Sequence, residues 1–415
     1  MKILVVREIK IFFLLFFSYI NKNFSCDCCD ECWKNFSTDK KTLSKYSDKN
    51  KKLDIPSIID EEKEKGEKGE EENKSEEEEN KPEEEELGSN EKEKNDEINN
   101  DKYLEEVLEN FNNVKVIKGD FFKAQNNYEL EKSGTKKNDG VLGEGGFGLV
   151  YKIKNKKNKK TFVLKQIVKG EDKPLKDIQK EIQNLIRLKD EQNILRIVDV
   201  YRQNNFIGNF LGKEYSKEKN ATCFYIITEY CEGGDLFDLI IDGKGKYNKN
   251  KIAYQIINAV YVCHQKQIAH LDLKSENFFL SDNLNIKLGD FGKSSYFEGN
   301  AKYDKICGSI GYASYEVLSK KEYDPFKADL FSLGATLYAL YIKELLYDIE
   351  ENEFTKKKIE EKFNEIPKRI DSIQDIKLKT LLEGLLTKLE KDRWGWEEIF
   401  YSCFYKELQK KYKGN

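Results

Sequence analysis

The sequence has almost no excess charge of either sign. Its 72 lysines and arginines oppose 76 aspartates and glutamates, so the formal net charge is only -4 in 415 residues. Proteins that attract nucleic acid or anionic membranes through their overall field usually carry a marked basic surplus. The near balance excludes a strong field of that kind for the whole chain, and we predict no nucleic-acid partner.

The sequence also lacks an apolar run long enough for a confident membrane span. Its first candidate, residues 11–17 (IFFLLFF), is short and follows three basic residues: Lys2, Arg7 and Lys10. This order is typical of a secretory signal. We interpret residues 1–25 as a signal peptide removed after about Ser25, or as an uncleaved anchor, because Asn23 and Ser25 make a poor cleavage site. Either predicts a secretory, secreted or membrane-associated protein, and without a signal it would be cytoplasmic.

Cysteine is scarce in the middle of the chain and concentrated near its start. Residues 26–38 hold four of the nine cysteines: Cys26, Cys28, Cys29 and Cys32. Such a cluster can form disulfides, accept palmitate beside a membrane or bind a metal. Four ligands this close together complete a tetrahedral site only with difficulty, so we favour lipidation or disulfides. The scattered remaining cysteines are predicted to be reduced thiols.

Apolar residues are nearly absent from residues 39–102, where Lys, Glu, Asn and Asp dominate. Such a segment cannot bury enough apolar surface to offset the entropy of ordering. We therefore predict a disordered acidic linker in front of a folded domain over residues 126–405.

Two short motifs in that domain contain the groups that phosphoryl transfer requires. They are residues 270–277 (HLDLKSEN) and residues 290–292 (DFG). Asp272 is the candidate carboxylate for orienting an attacking hydroxyl and accepting its proton, and Lys274 lies near the moving phosphate. Asn277 and Asp290 supply an amide oxygen and a carboxylate for Mg²⁺.

Further motifs with groups suited to a nucleotide site precede these two in the chain. Residues 142–150 (LGEGGFGLV) predict a strand, a glycine turn and a strand, and glycine lets backbone approach phosphates closely. Residues 161–165 (TFVLK) predict the next strand, ending at Lys165. Apolar residues recur on one side of a helix over 175–188, and Glu181 on that helix is the candidate partner of Lys165.

Together these motifs resemble the protein kinase family, of the serine/threonine type. The hinge between the lobes would be residues 223–231 (CFYIITEYC), and residues 233–240 (GGDLFDLI) after it are similar to the corresponding segment of calmodulin-dependent kinases. The resemblance implies an α+β fold with two lobes. A small lobe of about 126–229 would hold an antiparallel sheet and one main helix, and a mostly helical large lobe would cover about 230–405. ATP with Mg²⁺, or alternatively Mn²⁺, would bind between them, and the substrate would be a protein hydroxyl.

The resemblance also implies which residues contact ATP. Thr228 would be a small gatekeeper, Glu229 and Cys231 would offer main-chain groups to adenine, and Asp235 would bind the ribose or a basic substrate residue. The other positions implied to contact the nucleotide are Leu142, Gly143, Glu144, Gly145, Gly146, Phe147, Gly148, Val150, Val163, Lys165 and Phe279. Asp272, Lys274, Lys165 and Glu181 would form the catalytic set.

The sequence departs from the family pattern at several positions. Leu271 replaces the arginine that normally contacts a phosphate on the activation segment, which makes this a non-RD loop. We therefore expect phosphorylation of this segment to matter less than in an arginine-bearing kinase; the candidate sites are Ser294, Ser295, Tyr303 and Ser309. Residues 308–316 (GSIGYASYE) carry Ser314 and Tyr315 in place of Ala-Pro, although Glu316 and its expected partner Arg393 are present. A pseudokinase or membrane-associated scaffold remains the alternative, as does, less favoured, a small-molecule kinase.

The sequence also gives indications of the substrate and of the source organism. Asp235 and Glu276 indicate a preference for basic residues before the acceptor, and residues 1–38 could associate with a membrane. The sequence does not define an oligomeric state. Abundant asparagine and lysine, with one methionine and five prolines, resemble the composition of apicomplexan proteins such as those of malaria parasites.

Overall fold

The structure is a computed structural model, and it describes thirteen stretches of the chain. These are residues 115–117, 121, 127–131, 140–145, 148–169, 174–206, 208–210, 213–215, 221–243, 247–299, 302–319, 321–350 and 353–413. The predicted signal segment, cysteine cluster and acidic linker lie outside them, as do Gly146 and Phe147. Among the described residues no helix is both long and apolar enough to cross a membrane.

The small lobe is built on a seven-stranded sheet. Its strands are β1 (Lys115–Ile117), β2 (Tyr128–Leu130), β3 (Val141–Gly145), β4 (Gly148–Asn155), β5 (Thr161–Val168), β6 (Ile197–Gln203) and β9 (Cys223–Glu229), while β7 (Gly208–Phe210) and β8 (Lys213–Tyr215) form a separate hairpin. The strand order is β1-β6-β9-β5-β4-β2, with β3 also on β4. Every pair in the sheet is antiparallel except β1 with β6, which confirms the predicted architecture and adds one parallel edge strand.

Helix α1 (Leu175–Arg187) follows β5 and packs through its apolar side. Ile178, Ile182 and Leu185 are buried at the three- and four-residue spacing that the sequence shows. That spacing places them on one face of a helix. Glu181 lies among them, so the predicted helix and the predicted position of its carboxylate are confirmed.

The sheet face opposite Lys165 carries its own apolar core, which we call the outer core. Side chains alternate between faces along a strand, so Phe162 and Leu164 on β5 point away from the face that bears Lys165. They pack with Tyr201 on β6, Tyr225 on β9 and eight other buried residues, one of which is Phe121. Phe121 precedes residue 126, so the apolar packing of the small lobe extends beyond the predicted domain start.

The large lobe is mostly helical, as predicted. In chain order its elements are α2 (Leu236–Asp242), α3 (Lys249–Gln265), β10 (Ile268–Ala269), β11 (Phe278–Leu280), β12 (Ile286–Leu288), β13 (Ser295–Tyr296), α4 (Tyr315–Leu318), α5 (Pro325–Ile342), α6 (Lys356–Asp371), α7 (Ile376–Leu385), α8 (Trp396–Tyr401) and α9 (Cys403–Tyr412). Helix α5 is apolar on almost every side, and most of its residues are buried. A helix of that kind belongs in the centre of a core, and it supports the loop that carries Asp272.

Candidate active site

Lys165 joins the two lobes through two ion pairs. Its Nζ lies 2.5 Å from Glu181 Oε1 on helix α1 and 3.0 Å from Asp290 Oδ1 in the large lobe. Burial alone would lower the pKa of the Lys165 ammonium, but the carboxylates of Asp290 and Glu181 outweigh burial and raise it. The lysine therefore stays charged at neutral pH and can meet phosphate oxygens.

The pKa of Asp290 moves in the matching direction. Burial would raise the pKa of this carboxyl group, but the nearby charge of Lys165 outweighs it and lowers the pKa below its ordinary value. Asp290 adopts a left-handed backbone conformation, with φ of 56°. An aspartate tolerates that region better than a bulkier residue does, and the carboxylate is held ionised in the site.

The loop that carries Asp272 is hydrogen-bonded to Asp329 on helix α5. The Asp329 carboxylate accepts the main-chain N–H of His270 at 2.6 Å and that of Leu271 at 2.8 Å. Leu271 has φ of +62°, a strained conformation for a leucine. The two hydrogen bonds to Asp329 offset that strain and hold the loop in this conformation.

The imidazole of His270 gives the loop a second support. Its Nδ1 accepts the N–H of Asp272 at 3.3 Å, and its Nε2 lies 3.0 Å from the carbonyl oxygen of Gly289. Since Nδ1 accepts, the proton is on Nε2 and is donated to that carbonyl. The imidazole thus ties the Asp272 loop to the residue just before Asp290.

Asp272 is surrounded by a hydroxyl group and two ammonium groups. Its Oδ1 accepts a hydrogen bond from Ser309 Oγ at 2.9 Å and lies 3.7 Å from Lys293 Nζ. Its Oδ2 lies 3.8 Å from Lys274 Nζ, which also donates to Ser309 Oγ at 3.0 Å. Burial would lower the pKa of Lys274, but Asp272 and the other nearby carboxylates raise it. The predicted pair of Asp272 and Lys274 is therefore together in the site.

A short hairpin brings the two candidate magnesium ligands to one end. Strands β11 and β12 are antiparallel and pair Phe278 with Leu288. Asn277 precedes the first strand, Asp290 closely follows the second, and the Asn277 carbonyl accepts the Gly289 N–H at 2.9 Å.

The chemistry of this pair fits Mg²⁺. Asn277 donates its Nδ2–H to the Asp272 carbonyl at 2.8 Å, so its Oδ1 is the atom suited to a metal. A carboxylate and an amide oxygen are hard ligands that magnesium prefers, with waters and phosphates completing the shell. No cluster of three or more His, Cys, Asp and Glu side chains suited to a metal occurs among the residues described.

The predicted nucleotide contacts lie on neighbouring strands. Val150 on β4 is opposite Lys165 on β5, and Val163 is opposite Thr228 on β9. Half-buried side chains suit a cleft that a flat ring enters, and four of the positions have them: Leu142, Val150, Val163 and Phe279. At Gly148 a Cβ atom would lie 2.1 Å from the Gln166 carbonyl oxygen, and φ is +140°, so glycine is required there.

The hinge and the residue Asp235 after it have three features beyond the predicted ones. The Glu229 N–H donates to the Arg196 carbonyl at 3.0 Å, so the group that Glu229 can offer adenine is its carbonyl. Burial raises the pKa of the Cys231 thiol to about 12, and the Cys231 main chain remains the predicted contact. Asp235 Oδ1 accepts the Asp238 N–H at 2.9 Å and caps helix α2, a structural task that the sequence reading did not include.

The family model of the protein kinase domain matches residues 137–405 of this chain. This chain belongs to the protein kinase family. Among the relatives of this kinase, serine/threonine-protein kinase SIK3 homolog of Danio rerio is 33% identical over 53% of the chain and 17% of its own length. Serine/threonine-protein kinase SIK1 of Rattus norvegicus is 32% identical over 50% of the chain and 25% of its own length. The matched part of this kinase therefore covers a quarter or less of the length of each of these relatives.

The end of the activation segment is anchored in this kinase despite its altered sequence. Arg393 Nη1 lies 2.6 Å from Glu316 Oε1, and Nη2 lies 3.0 Å from Oε2, a buried bidentate pair. Tyr315, at the position of the usual proline, packs edge-on against Phe363 of helix α6. Replacing Ala-Pro by Ser-Tyr has therefore not removed the anchor.

Four residues in or beside the site have contacts or burial that the sequence did not predict. Ser309 was considered only for phosphorylation, yet its hydroxyl binds Asp272 and Lys274; its place in the 308–316 motif was the available signal. Lys293 directly follows the DFG motif and contacts Asp272, and nothing in the sequence pattern marked it. Ser294 and Ser295, also considered for phosphorylation, are only 3% and 5% exposed, so a kinase acting on them would need the segment to open.

Proposed function

We propose that this kinase transfers the γ-phosphoryl group of Mg-ATP to serine or threonine hydroxyls of proteins. The observation that carries the proposal is the placement of Lys165 between Glu181 and Asp290. A chain that had lost catalysis would have no need to keep these three charges in register. The names of the relatives, all serine/threonine kinases, point the same way.

The residues have separable tasks in this reaction. Asp272 orients the attacking hydroxyl and accepts its proton, and Lys274 lies where it can offset charge on the moving phosphate. Lys165 positions phosphates, while Asn277 and Asp290 would hold the metal. Bound Mg²⁺ supplies neutralisation of phosphate charge. Lys274, two residues after the base, is the feature of the resemblance that favours serine and threonine acceptors.

We also propose that the enzyme works without a phosphate on its activation segment. Leu271 is 5% exposed and apolar, so it cannot bind such a phosphate. Lys293 Nζ instead lies 3.2 Å from the Gly308 carbonyl while also approaching Asp272. This lysine links the Asp272 loop to the activation segment without a phosphate.

Substrate preference and location are further parts of the proposal. Asp235 and Glu276 support recognition of basic residues before the acceptor. The basic and apolar start of the sequence supports entry into the secretory route, with a cytoplasmic location or membrane association as the alternatives. A reporter fused to residues 1–33 should leave the cytosol, and a uniform cytosolic signal would contradict the secretory proposal. An apicomplexan source, which the composition suggested, stays a prediction.

The catalytic proposal is tested with the purified full chain, Mg-ATP labelled at the γ-phosphate, and a mixed peptide library. We expect labelled phosphoserine and phosphothreonine, with more label on peptides that carry arginine or lysine before the acceptor. Label on tyrosine alone would contradict the serine/threonine assignment. Nucleotide binding without any transfer would favour the scaffold alternative.

A further inference from the structure

A buried hydrogen bond joins helix α1 to the start of the activation segment. Asn184 Nδ2 donates to Ser294 Oγ at 2.9 Å, and Ser294 Oγ donates in turn to the Phe291 carbonyl at 2.7 Å. Asn184 and Ser294 are 2% and 3% exposed. Because no water competes for these groups, separating them would leave polar atoms buried without partners, which is costly.

The position of this bond relates it to the catalytic residues. Asn184 lies one helical turn after Glu181, the residue that binds Lys165. Ser294 lies four residues after Asp290, the other partner of Lys165. Helix α1 is therefore connected to the segment that begins at Asp290 in two ways, through the ion pairs of Lys165 and through the Asn184–Ser294 hydrogen bond.

One turn further along the helix a third contact follows. The Arg187 guanidinium lies over the Tyr296 ring, 4.1 Å from its centroid. Tyr296 is on β13, which pairs with β10 immediately before the Asp272 loop. Glu181, Asn184 and Arg187 therefore hold helix α1 at three successive points, and only the middle contact is wholly buried and uncharged.

We propose that the Asn184–Ser294 hydrogen bond is a positioning element of the kinase, which fixes helix α1 so that Glu181 meets Lys165. Neither residue touches the reacting atoms. Their task is to set the position of the helix, and through it the position of the Lys165 ammonium. The inference rests on the proposed phosphoryl transfer, and it adds two residues that the transfer depends on.

The test is a double-mutant cycle in the full chain: Asn184→Leu, Ser294→Ala and both together. Steady-state kinetics with Mg-ATP and peptide give kcat and KM. Hydrogen exchange of the backbone amides of residues 176–187, without nucleotide, reports the helix independently of activity. Asn258→Leu is the matched control, because Asn258 accepts the Tyr405 hydroxyl at 3.0 Å in the large lobe, away from the site.

We expect Ser294→Ala to lower kcat/KM about tenfold, because it leaves the Asn184 amide buried without its acceptor. Asn184→Leu should cost less, since Ser294 still binds the Phe291 carbonyl. The double variant should be no worse than Ser294→Ala, and exchange in the helix should rise in both single variants. Asn258→Leu should lower thermal stability while kcat/KM of the folded protein stays unchanged.

Additive effects, or unchanged exchange and unchanged kcat/KM in both single variants, would overturn the proposal. If Ser294→Ala does not fold, Asn184→Leu decides by the same two measurements. A wild-type protein that transfers no phosphate would refute the proposed function alone. The exchange measurement would still accept or reject the positioning bond in that case.

Discussion

Lys293 directly follows the DFG motif, where its ammonium group approaches both Asp272 and the Gly308 carbonyl. If this lysine ties the catalytic loop to the activation segment, Lys293→Met should lower kcat/KM by about tenfold, the usual order for a charged hydrogen bond. Lys293→Arg should recover most of it. Peptide kinetics measure both variants.

The control for Lys293 is Lys305→Met, since Lys305 is an exposed lysine of the same segment. It should retain full activity. Phosphatase treatment of the wild type should also leave most of the activity in place. A strong loss of activity on phosphatase treatment would show that a phosphate orders the segment. Unchanged activity of Lys293→Met would show that this lysine does not.

Asp290 gives the site a pH dependence with a defined sign. Its pKa is lowered in the folded state, so the stability it contributes is present above its ordinary value of 3.8 and is lost as the pH falls further. The wild type should therefore be more stable than Asp290→Asn by a constant amount from about pH 8 to pH 5, and the difference should shrink below about pH 4.

Urea unfolding at several pH values measures this difference. Lys165 does not interfere, because its raised pKa keeps it charged throughout that range. A difference that already disappears between pH 7 and pH 5 would mean that Asp290 is not held ionised by Lys165.

Single residues of the site could be predicted from the sequence to different degrees. Lys165, Asp272, Asn277 and Asp290 carry chemistry that restricts the residue type, and the expected pairing of Lys165 with Glu181 is present in the site. Lys293 and Asn184 could not be predicted, because their roles come from contacts between segments far apart in the sequence. A single lysine or asparagine in the sequence cannot be distinguished from the same residue on a solvated surface.

At the scale of elements, Ser314 directly precedes helix α4, at a position where the family pattern has alanine. Ser314 is fully buried, and within the part of the chain that the structure describes its hydroxyl has no hydrogen-bond partner. An unsatisfied buried hydroxyl costs about 1–3 kcal/mol. Ser314→Ala should therefore raise the free energy of unfolding by about 1 kcal/mol, as measured by urea unfolding.

Activity should be unchanged in Ser314→Ala, because the Glu316–Arg393 pair next to it remains. Ser332→Ala is the comparison, since the Ser332 hydroxyl donates to the Tyr312 carbonyl at 2.9 Å. That variant should be destabilised. Equal losses in both would show that the Ser314 hydroxyl has a partner after all.

Some elements of the small lobe were predictable because their patterns are local. The apolar spacing of helix α1 and the two strands β3 and β4 on either side of the glycine-rich motif appear both in the sequence and in the fold. Strand β1 was not predicted, since three residues (KVI) have no period to read, and its formation depends on the exposed edge of β6.

On the scale of the whole molecule, the small lobe includes a segment that precedes the matched kinase domain. Phe121 is 1% exposed and stacks on Tyr225, with ring centroids 4.6 Å apart, and meets Tyr201 edge-on at 5.4 Å. Removing a buried phenylalanine ring costs about 3–5 kcal/mol. Phe121→Ala should destabilise the chain by about that amount, as measured by chemical unfolding.

Phe121→Leu keeps most of the apolar volume and should cost much less. Both variants should keep their kinetic constants when folded, because the outer core lies on the sheet face opposite Lys165. A negligible effect of Phe121→Ala on unfolding would mean that the segment is not part of the small-lobe core.

The proposed phosphoryl transfer by this kinase depends on the carboxylates of Asp272 and Asp290. The most direct measurement is γ-phosphate transfer by the purified full chain beside Asp272→Asn and Asp290→Ala, with folding checked by thermal unfolding. We predict transfer by the wild type, and a loss of about a thousandfold in both folded variants. Transfer by either variant at the wild-type rate, or no transfer by the wild type, would contradict the claim.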